Sequence, residues 1–281
     1  MAPKLQIQGL CRFSYLAEDG NFQSTPSDDA ARRAYLFDPA RMAQRMAWFE
    51  HVALPSVAGQ TDPDFVLHLM LAEDMPEPFR AQILALVAGV PQVRPVFYPM
   101  AQPRLAYRDI MHSARDSGTD MVAEFRLDDD DAMAHGFVAR VRRLAGLAEQ
   151  MFVPRQQRAA LDFGFGMVLD VLDDGKVEVI PVHARTWPCA LAVYLRPDDD
   201  RCVMDFPHHR IAHIMPLLSY HRPMMYARGR HGGNDSKIFL DRARNMSPED
   251  AADRLLPEFG IDLRAFRAAM AALAAGPGAP G

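Results

Sequence analysis

Three cysteines in 281 residues, Cys11, Cys189 and Cys202, form no close pair. An odd, scattered set excludes a disulfide framework, fits a reduced compartment and offers no Cys-x-x-Cys for a thiolate metal site. There is no Lys/Arg-rich run, and the formal net charge is −5, which excludes a general nucleic-acid binder. No apolar run approaches the roughly 18 residues that a membrane-spanning helix needs. The first residues lack a basic segment followed by an apolar one, so no secretory signal is expected and the protein is expected in the cytoplasm. Internal repeats and interdomain linkers are missing too. What is there, 49% hydrophobic and 24% charged residues, suits a globular chain long enough for one large α/β domain.

Hydrophobic periodicity supplies the elements. Leu5 to Leu16 reads as a strand, and Phe65 to Leu71 is apolar on both faces apart from His68, as a covered central strand should be. Asp38-Pro39 reads as an N-cap and first helical residue, with Met42, Met46, Phe49 and Ala53 along one face until Pro55. Further expectations are a helix over 78–88, a short strand over 93–97, a helix within 105–115 and a strand over 121–127. The first 150 residues thus alternate strand and helix, which predicts a mostly parallel sheet. Later the style changes. Leu161–Leu172 and Val177–Val182 flank Asp173-Asp174-Gly175-Lys176, a hairpin signal, and Pro207–Leu218 has helical spacing. Ser247 and Asp262 each open a C-terminal helix, and 276–281 read as a disordered tail.

The most informative stretch is Asp128-Asp129-Asp130-Asp131. It follows the strand pattern Met121–Leu127 and precedes helical spacing from Phe137 through Val141, Leu144, Ala148 and Met151. A strand that delivers carboxylates at its C-terminal end makes a site for a hard cation, with phosphate oxygens completing the shell. The competing explanation is a solvated acidic helix start. Asp198-Asp199-Asp200 is the internal control: it follows Pro197 without an adjoining apolar strand and reads as a polar turn.

Two stretches together resemble the nucleotide-diphosphate-sugar glycosyltransferases of the GT-A fold. Leu54 to Phe65, containing Ser56, Gln60 and Thr61, looks like their helix-to-strand junction, and Arg126 to Asp131 looks like their Asp-x-Asp motif. With Arg12-Phe13-Ser14 and His231-Gly232-Gly233-Asn234-Asp235-Ser236, residues 10–240 are similar to a bacterial family described as putative rhamnosyltransferases. The resemblance implies one GT-A-like domain over 1–275, with a nucleotide-binding half (1–150) and an acceptor-side half (151–275). Its fold would be a Rossmann-type, mostly parallel sheet with an antiparallel C-terminal part and C-terminal helices. The implied activity is metal-dependent transfer of a sugar, such as rhamnose from dTDP-rhamnose, in bacterial polysaccharide synthesis. The donor would be a nucleoside-diphosphate sugar and the acceptor a saccharide or lipid-linked saccharide, with peripheral contact at the inner face of the cytoplasmic membrane.

The same resemblance implies the site. Asp130 would be the main ligand of Mn²⁺ or Mg²⁺, Asp128 would support the metal or the donor ribose, and a late histidine, His231, would reach the metal or the diphosphate. Asp131 reads as first-turn helix charge. Arg12, Ser14, Gln60, Arg126 and Asp128 are expected at the donor. So are Asn234, Ser236 and Lys237 in the glycine-rich basic loop 228–237, which suits phosphate oxygens. The usual Glu-Asp pair for a general base is absent, so Asp205, His209 and Asp235 stay open as candidates, Asp205 with a competing helix-capping role. Arg32, Arg33, Arg41 and Arg45 read as a solvated face, with a diphosphate-facing arginine as the alternative. Two rival functions remain: a metal-dependent phosphodiesterase or pyrophosphatase using the same carboxylates on water, and an inactive nucleotide-binding GT-A protein.

Overall fold

A computed structural model describes residues 3–15, 17–18, 28–232 and 240–276. The chain enters through β1 (Leu5–Phe13), followed by α1 (Asp29–Leu36) and α2 (Pro39–Trp48). Asp38 caps α2 by accepting from Arg41 N–H at 2.9 Å, as its place before Pro39 predicts. The helix does not stop at Pro55: a π-helical turn, Phe49–Ala53, carries it into α3 (Leu54–Ala58). Proline is tolerated at the start of that last segment because a first-turn N–H is dispensable. Next come β2 (Val66–Ala72), α4 (Glu77–Val87), β3 (Val93–Tyr98), α5 (Pro103–Ser113) and β4 (Met121–Arg126). A two-residue strand, β5 (Ala132–Met133), and α6 (Phe137–Gln150) follow the acidic run.

The remainder comprises β6 (Arg158–Phe163), β7 (Phe165–Val171), β8 (Val177–His183), β9 (Leu191–Leu195), α7 (Ile211–Ile214), β10 (Leu217–Tyr220), β11 (Tyr226–Arg230), α8 (Pro248–Ala252), α9 (Leu255–Phe259) and α10 (Leu263–Ala275). Seven strands form the main sheet in the order β10-β6-β9-β4-β1-β2-β3. Strands β4, β1, β2 and β3 run parallel, while β9 is antiparallel to both β4 and β6. This is the mostly parallel α/β architecture with an antiparallel later part and C-terminal helices that the sequence predicts. Strands from residues 158–220 complete the sheet that the first 126 residues begin. No helix among the described residues is long and apolar enough to cross a membrane.

Both faces of the sheet are covered, so β4 is buried along nearly its whole length. One core, with Met42, Trp48, Phe125, Phe137 and Phe163, lies under α2 and α6; the other, with Leu10, Met70, Ile110, Val193 and Phe206, lies under α5.

Two expectations need correction. Residues 207–218 are not one helix: a single 3-10 turn (His208–Arg210) and the four-residue α7 lead to β10, which pairs parallel with β6. Pro216 stops the helix, and the apolar pair Leu217-Leu218 satisfies a strand as well as a helix. Residues 161–172 are two strands, since Gly164 turns the chain out of the main sheet into the second one, β5-β11-β7-β8. A Cβ on Gly164 would lie 2.7 Å from His221 Nδ1. The hairpin over 173–176 is as predicted, with Gly175 at φ 79°.

Candidate active site at the end of β4

Pairing of β5 with β11 is what assembles the site. Ala132 and Met133 pair antiparallel with Ala227 and Tyr226, which lays Arg228 to His231 beside Asp128 to Asp131. Gly229 makes the approach feasible: a Cβ there would sit 2.5 Å from the Asp130 carbonyl oxygen.

The four carboxylates then diverge. Asp128 accepts from Arg12 on β1 at 3.2 Å, and Arg12 also reaches the Tyr107 hydroxyl at 3.3 Å. Asp129, fully buried, pairs with Arg45 of α2, whose Nε donates at 2.8 Å. Asp130 Oδ2 lies 3.0 Å from His231 Nε2 and 3.6 Å from Arg45. Asp131 accepts the Gly229 N–H at 3.0 Å; it is a buried loop anchor, not a helix-start charge, because α6 begins only at Phe137. Trp48 packs against the His231 ring with centroids 5.4 Å apart and closes the floor.

Electrostatics separates these acids. Burial opposes ionisation of Asp128, but Arg12 and then Arg126 outweigh it and hold the carboxyl below its ordinary range. Burial likewise opposes ionisation of Asp130, yet Arg45 and His231 keep it below the usual value. For Asp131, burial and the neighbouring Asp130 charge act together and raise it well above. The site therefore presents two anionic carboxylates, Asp128 and Asp130, among guanidinium groups.

Those guanidiniums outnumber what the acids consume. Arg126, the last residue of β4, has a buried Nε with no hydrogen-bond partner among the described residues, and burial disfavours its charge. Arg228 on β11 lies over the Trp187 ring at 4.6 Å and shares the field of Asp131 and Asp128.

The expected metal set is only partly gathered. Asp130 and His231 meet, whereas Asp128 turns to Arg12, and no three His, Cys, Asp or Glu side chains among the described residues converge as a metal cluster. Of that set, Asp130 and His231, 3.0 Å apart, are the residues that would hold Mn²⁺ or Mg²⁺, where the cation would supply charge neutralisation. His231 and Gly232 also line a cavity of about 810 Å³ between α2 and α10.

Other expected residues have different employment. Ser14, at φ 47°, donates to the Met42 sulfur at 3.3 Å and accepts from Arg41 at 3.1 Å. The Gln60 amide is spent on the backbone, donating to Ser56 and Ala134 carbonyls and accepting from Val138 N–H, so it fixes the segment after the acids rather than facing a ligand. Asp205 caps its own 3-10 turn by accepting from Cys202 N–H at 2.9 Å and also binds Arg108 at 2.8 Å. Its Oδ1 is buried without a hydrogen-bond partner among the described residues. His209 is exposed, and the half-buried His208 beside it is the imidazole within the field of Arg126 and Arg228. Asn234, Asp235, Ser236 and Lys237 lie outside the described residues. Arg32 is buried and Arg45 half-buried, and both are paired within the fold instead of forming a solvated face: Arg32 donates to the Ala17 carbonyl at 2.6 Å and Arg45 to Asp129 at 2.8 Å. Arg45 follows Met42 by three positions and precedes Met46, a spacing that could have betrayed its inward direction; Arg228 and His208 had no such local signal.

Carboxyl ends of the parallel strands β1 and β4 that gather opposed charges in one crevice define a ligand-binding α/β fold of the doubly wound kind. The chain belongs to the family described as "putative rhamnosyl transferase", which matches residues 6–242, and is thereby a glycosyltransferase-family protein. Comparison with curated proteins finds no match. Among solved structures it is similar to S. aureus TarS 1–349 in complex with UDP-GlcNAc, at 11% identity and TM-score 0.46 over 95% of this chain and 70% of that one. The UDP complex of the same protein matches at 12% identity and TM-score 0.42, with the same coverage. A 4-diphosphocytidyl-2C-methyl-D-erythritol synthase from Anaerococcus prevotii matches at 8% identity and TM-score 0.34, covering 77% of this chain and 86% of that one. Likenesses at this level speak to the chain path alone.

Proposed function

We propose that this protein transfers a sugar from a nucleoside-diphosphate sugar to a hydroxyl of a saccharide or lipid-linked saccharide. The observation that carries the reading is the Asp130–His231 pair, 3.0 Å apart with Arg45 beside it, next to Asp128 in the field of Arg12, Arg126 and Arg228, at the end of a parallel strand. Breaking the bond between sugar and diphosphate develops negative charge on the leaving group, and an arginine-rich crevice is suited to receive it. Arg126 and Arg228 carry cationic surplus for that purpose, while Asp128 holds Arg12 in place from β4. Asp130 and His231 would hold Mn²⁺ or Mg²⁺, which when bound adds charge neutralisation at the diphosphate. Rhamnose as the sugar, with dTDP-rhamnose as donor, rests on the family's description, and a role in bacterial polysaccharide synthesis at the inner membrane face goes with it.

A panel of nucleotide sugars, incubated with Mn²⁺ and candidate saccharides and followed by release of nucleoside diphosphate, tests the reading. Release that depends on a saccharide supports transfer. Release at a rate unchanged by any added sugar marks a phosphodiesterase instead, and binding without turnover marks an inactive nucleotide-binding protein.

A further inference from the structure

The base that a transferase needs has a further candidate beside those expected from sequence, one whose ring is held more firmly than that of the exposed His209. His208 sits half-buried on the 3-10 turn, with Nδ1 2.8 Å from the Thr186 carbonyl oxygen. A carbonyl only accepts, so Nδ1 carries the proton and the tautomer is fixed. Nε2 is therefore a lone pair, and it makes no hydrogen bond among the described residues. The carbonyl that orients the ring is itself held: Thr186 sits at φ 56°, and its N–H donates to the buried Asp162 at 2.7 Å. The next residue, Trp187, supports Arg228, so one short turn aims the imidazole and supports that guanidinium. The charges that face His208 are Arg126 from β4, Arg228 from β11 and His209 within its own turn.

We propose that His208 is the general base of the transfer reaction. Its Nε2 takes the proton of the acceptor hydroxyl as that oxygen bonds to the anomeric carbon. The bond from that carbon to the phosphate oxygen breaks, and its electron pair leaves with the nucleoside diphosphate. This inference rests on the glycosyltransferase reading and supplies its missing base.

The same arrangement makes the base conditional on the donor. Burial first, then Arg126 and Arg228, push the His208 imidazole down to about 4, where it is neutral at physiological pH but weakly basic. A diphosphate settling on the two arginines cancels their contribution, so basicity rises toward the range where proton transfer is efficient. Without the donor, the imidazole stays a poor base.

The test follows the imidazole resonances of the whole protein by NMR across acidic to neutral pH, with and without saturating sodium pyrophosphate. The His208 signals are assigned by their loss in His208→Gln. The midpoint should start near about 4 and rise by about one unit or more with pyrophosphate; a midpoint that pyrophosphate leaves in place overturns the coupling. In turnover, His208→Gln should keep affinity for UDP or dTDP within about twofold while kcat falls about 100-fold or more and the acidic limb of the pH–rate profile disappears. Parental kcat in the variant removes His208 as the base while the glycosyltransferase reading stands. A parent protein that binds neither nucleotide and transfers no sugar overturns that reading, and the inference with it.

Discussion

Glu124, in the middle of β4, and Asp128 to Asp131, just past its end, both meet arginine away from water, yet their accounts of donors and acceptors differ. Glu124 is fully buried and accepts from Arg115 Nε at 2.9 Å, Gln8 Nε2 at 3.0 Å and Val203 N–H at 2.8 Å. Arg115 spends its remaining donors on the carbonyls of Asp199 and Arg201, each at 2.5 Å. Nothing is left over; the cluster rivets β4 to the end of α5 and the 199–203 loop. Two residues further on, Arg126 keeps a buried donor without a partner among the described residues, and Asp131 shares its pocket with the like charge of Asp130. A saturated polar cluster stabilises a fold, whereas one held in imbalance is stabilised by whatever ligand completes it.

Breaking the saturated cluster should cost most. Glu124→Ala leaves the Arg115 charge buried and unpaired, so the unfolding free energy in guanidinium should drop by about 3–5 kcal/mol. A loss under about 1 kcal/mol would mean the cluster is not the rivet described. Asp130→Asn should act on the other side of the contrast: turnover should fall about 100-fold or more, equivalent to about 3 kcal/mol of transition-state stabilisation, with little change in melting temperature. Retained turnover removes Asp130 from the reacting centre. Arg126→Met should leave stability unchanged or raise it by up to about 1 kcal/mol, because an unsatisfied buried donor disappears. The same change should weaken UDP binding by about tenfold by calorimetry. Lower stability with intact UDP affinity would reverse the assignment of Arg126 to the unbalanced cluster.

The smallest effect concerns pH. His68 touches the saturated side, with Nε2 3.3 Å from Gln8 Oε1, and burial followed by Arg94 pushes it down to about 4. His208, on the ligand side, is depressed equally. Above about pH 6.5 both are neutral folded or unfolded and add nothing. As pH falls from there toward about 4, the unfolded chain binds protons that the folded one refuses, so stability declines, and below both values the loss is complete. Denaturant midpoints measured across this window should show that slope, and His68→Gln should flatten it; an unchanged slope would mean His68 charges freely in the fold.

Much of this was legible because local patterns reported it. The β4 strand, the 173–176 hairpin and the caps at Asp38, Ser247 and Asp262 each carry their own signal, and each is in place. What escaped is non-local. Nothing near residue 228 announces Asp131, since the link is a two-residue strand pair, too short for periodicity to register. Leu217-Leu218 could serve either element until β6 offered it a partner. Among the base candidates the sequence drew attention to His209, but its neighbour His208 has the held ring, a distinction only the Thr186 carbonyl makes.

Calorimetric titration of UDP and dTDP into the parent protein, with and without Mn²⁺, bears most directly on the site at the end of β4. The account predicts binding strengthened by Mn²⁺ and lost to that strengthening in Asp130→Asn. Neither nucleotide binding under any condition, or Mn²⁺ enhancing the variant as much as the parent, would contradict it.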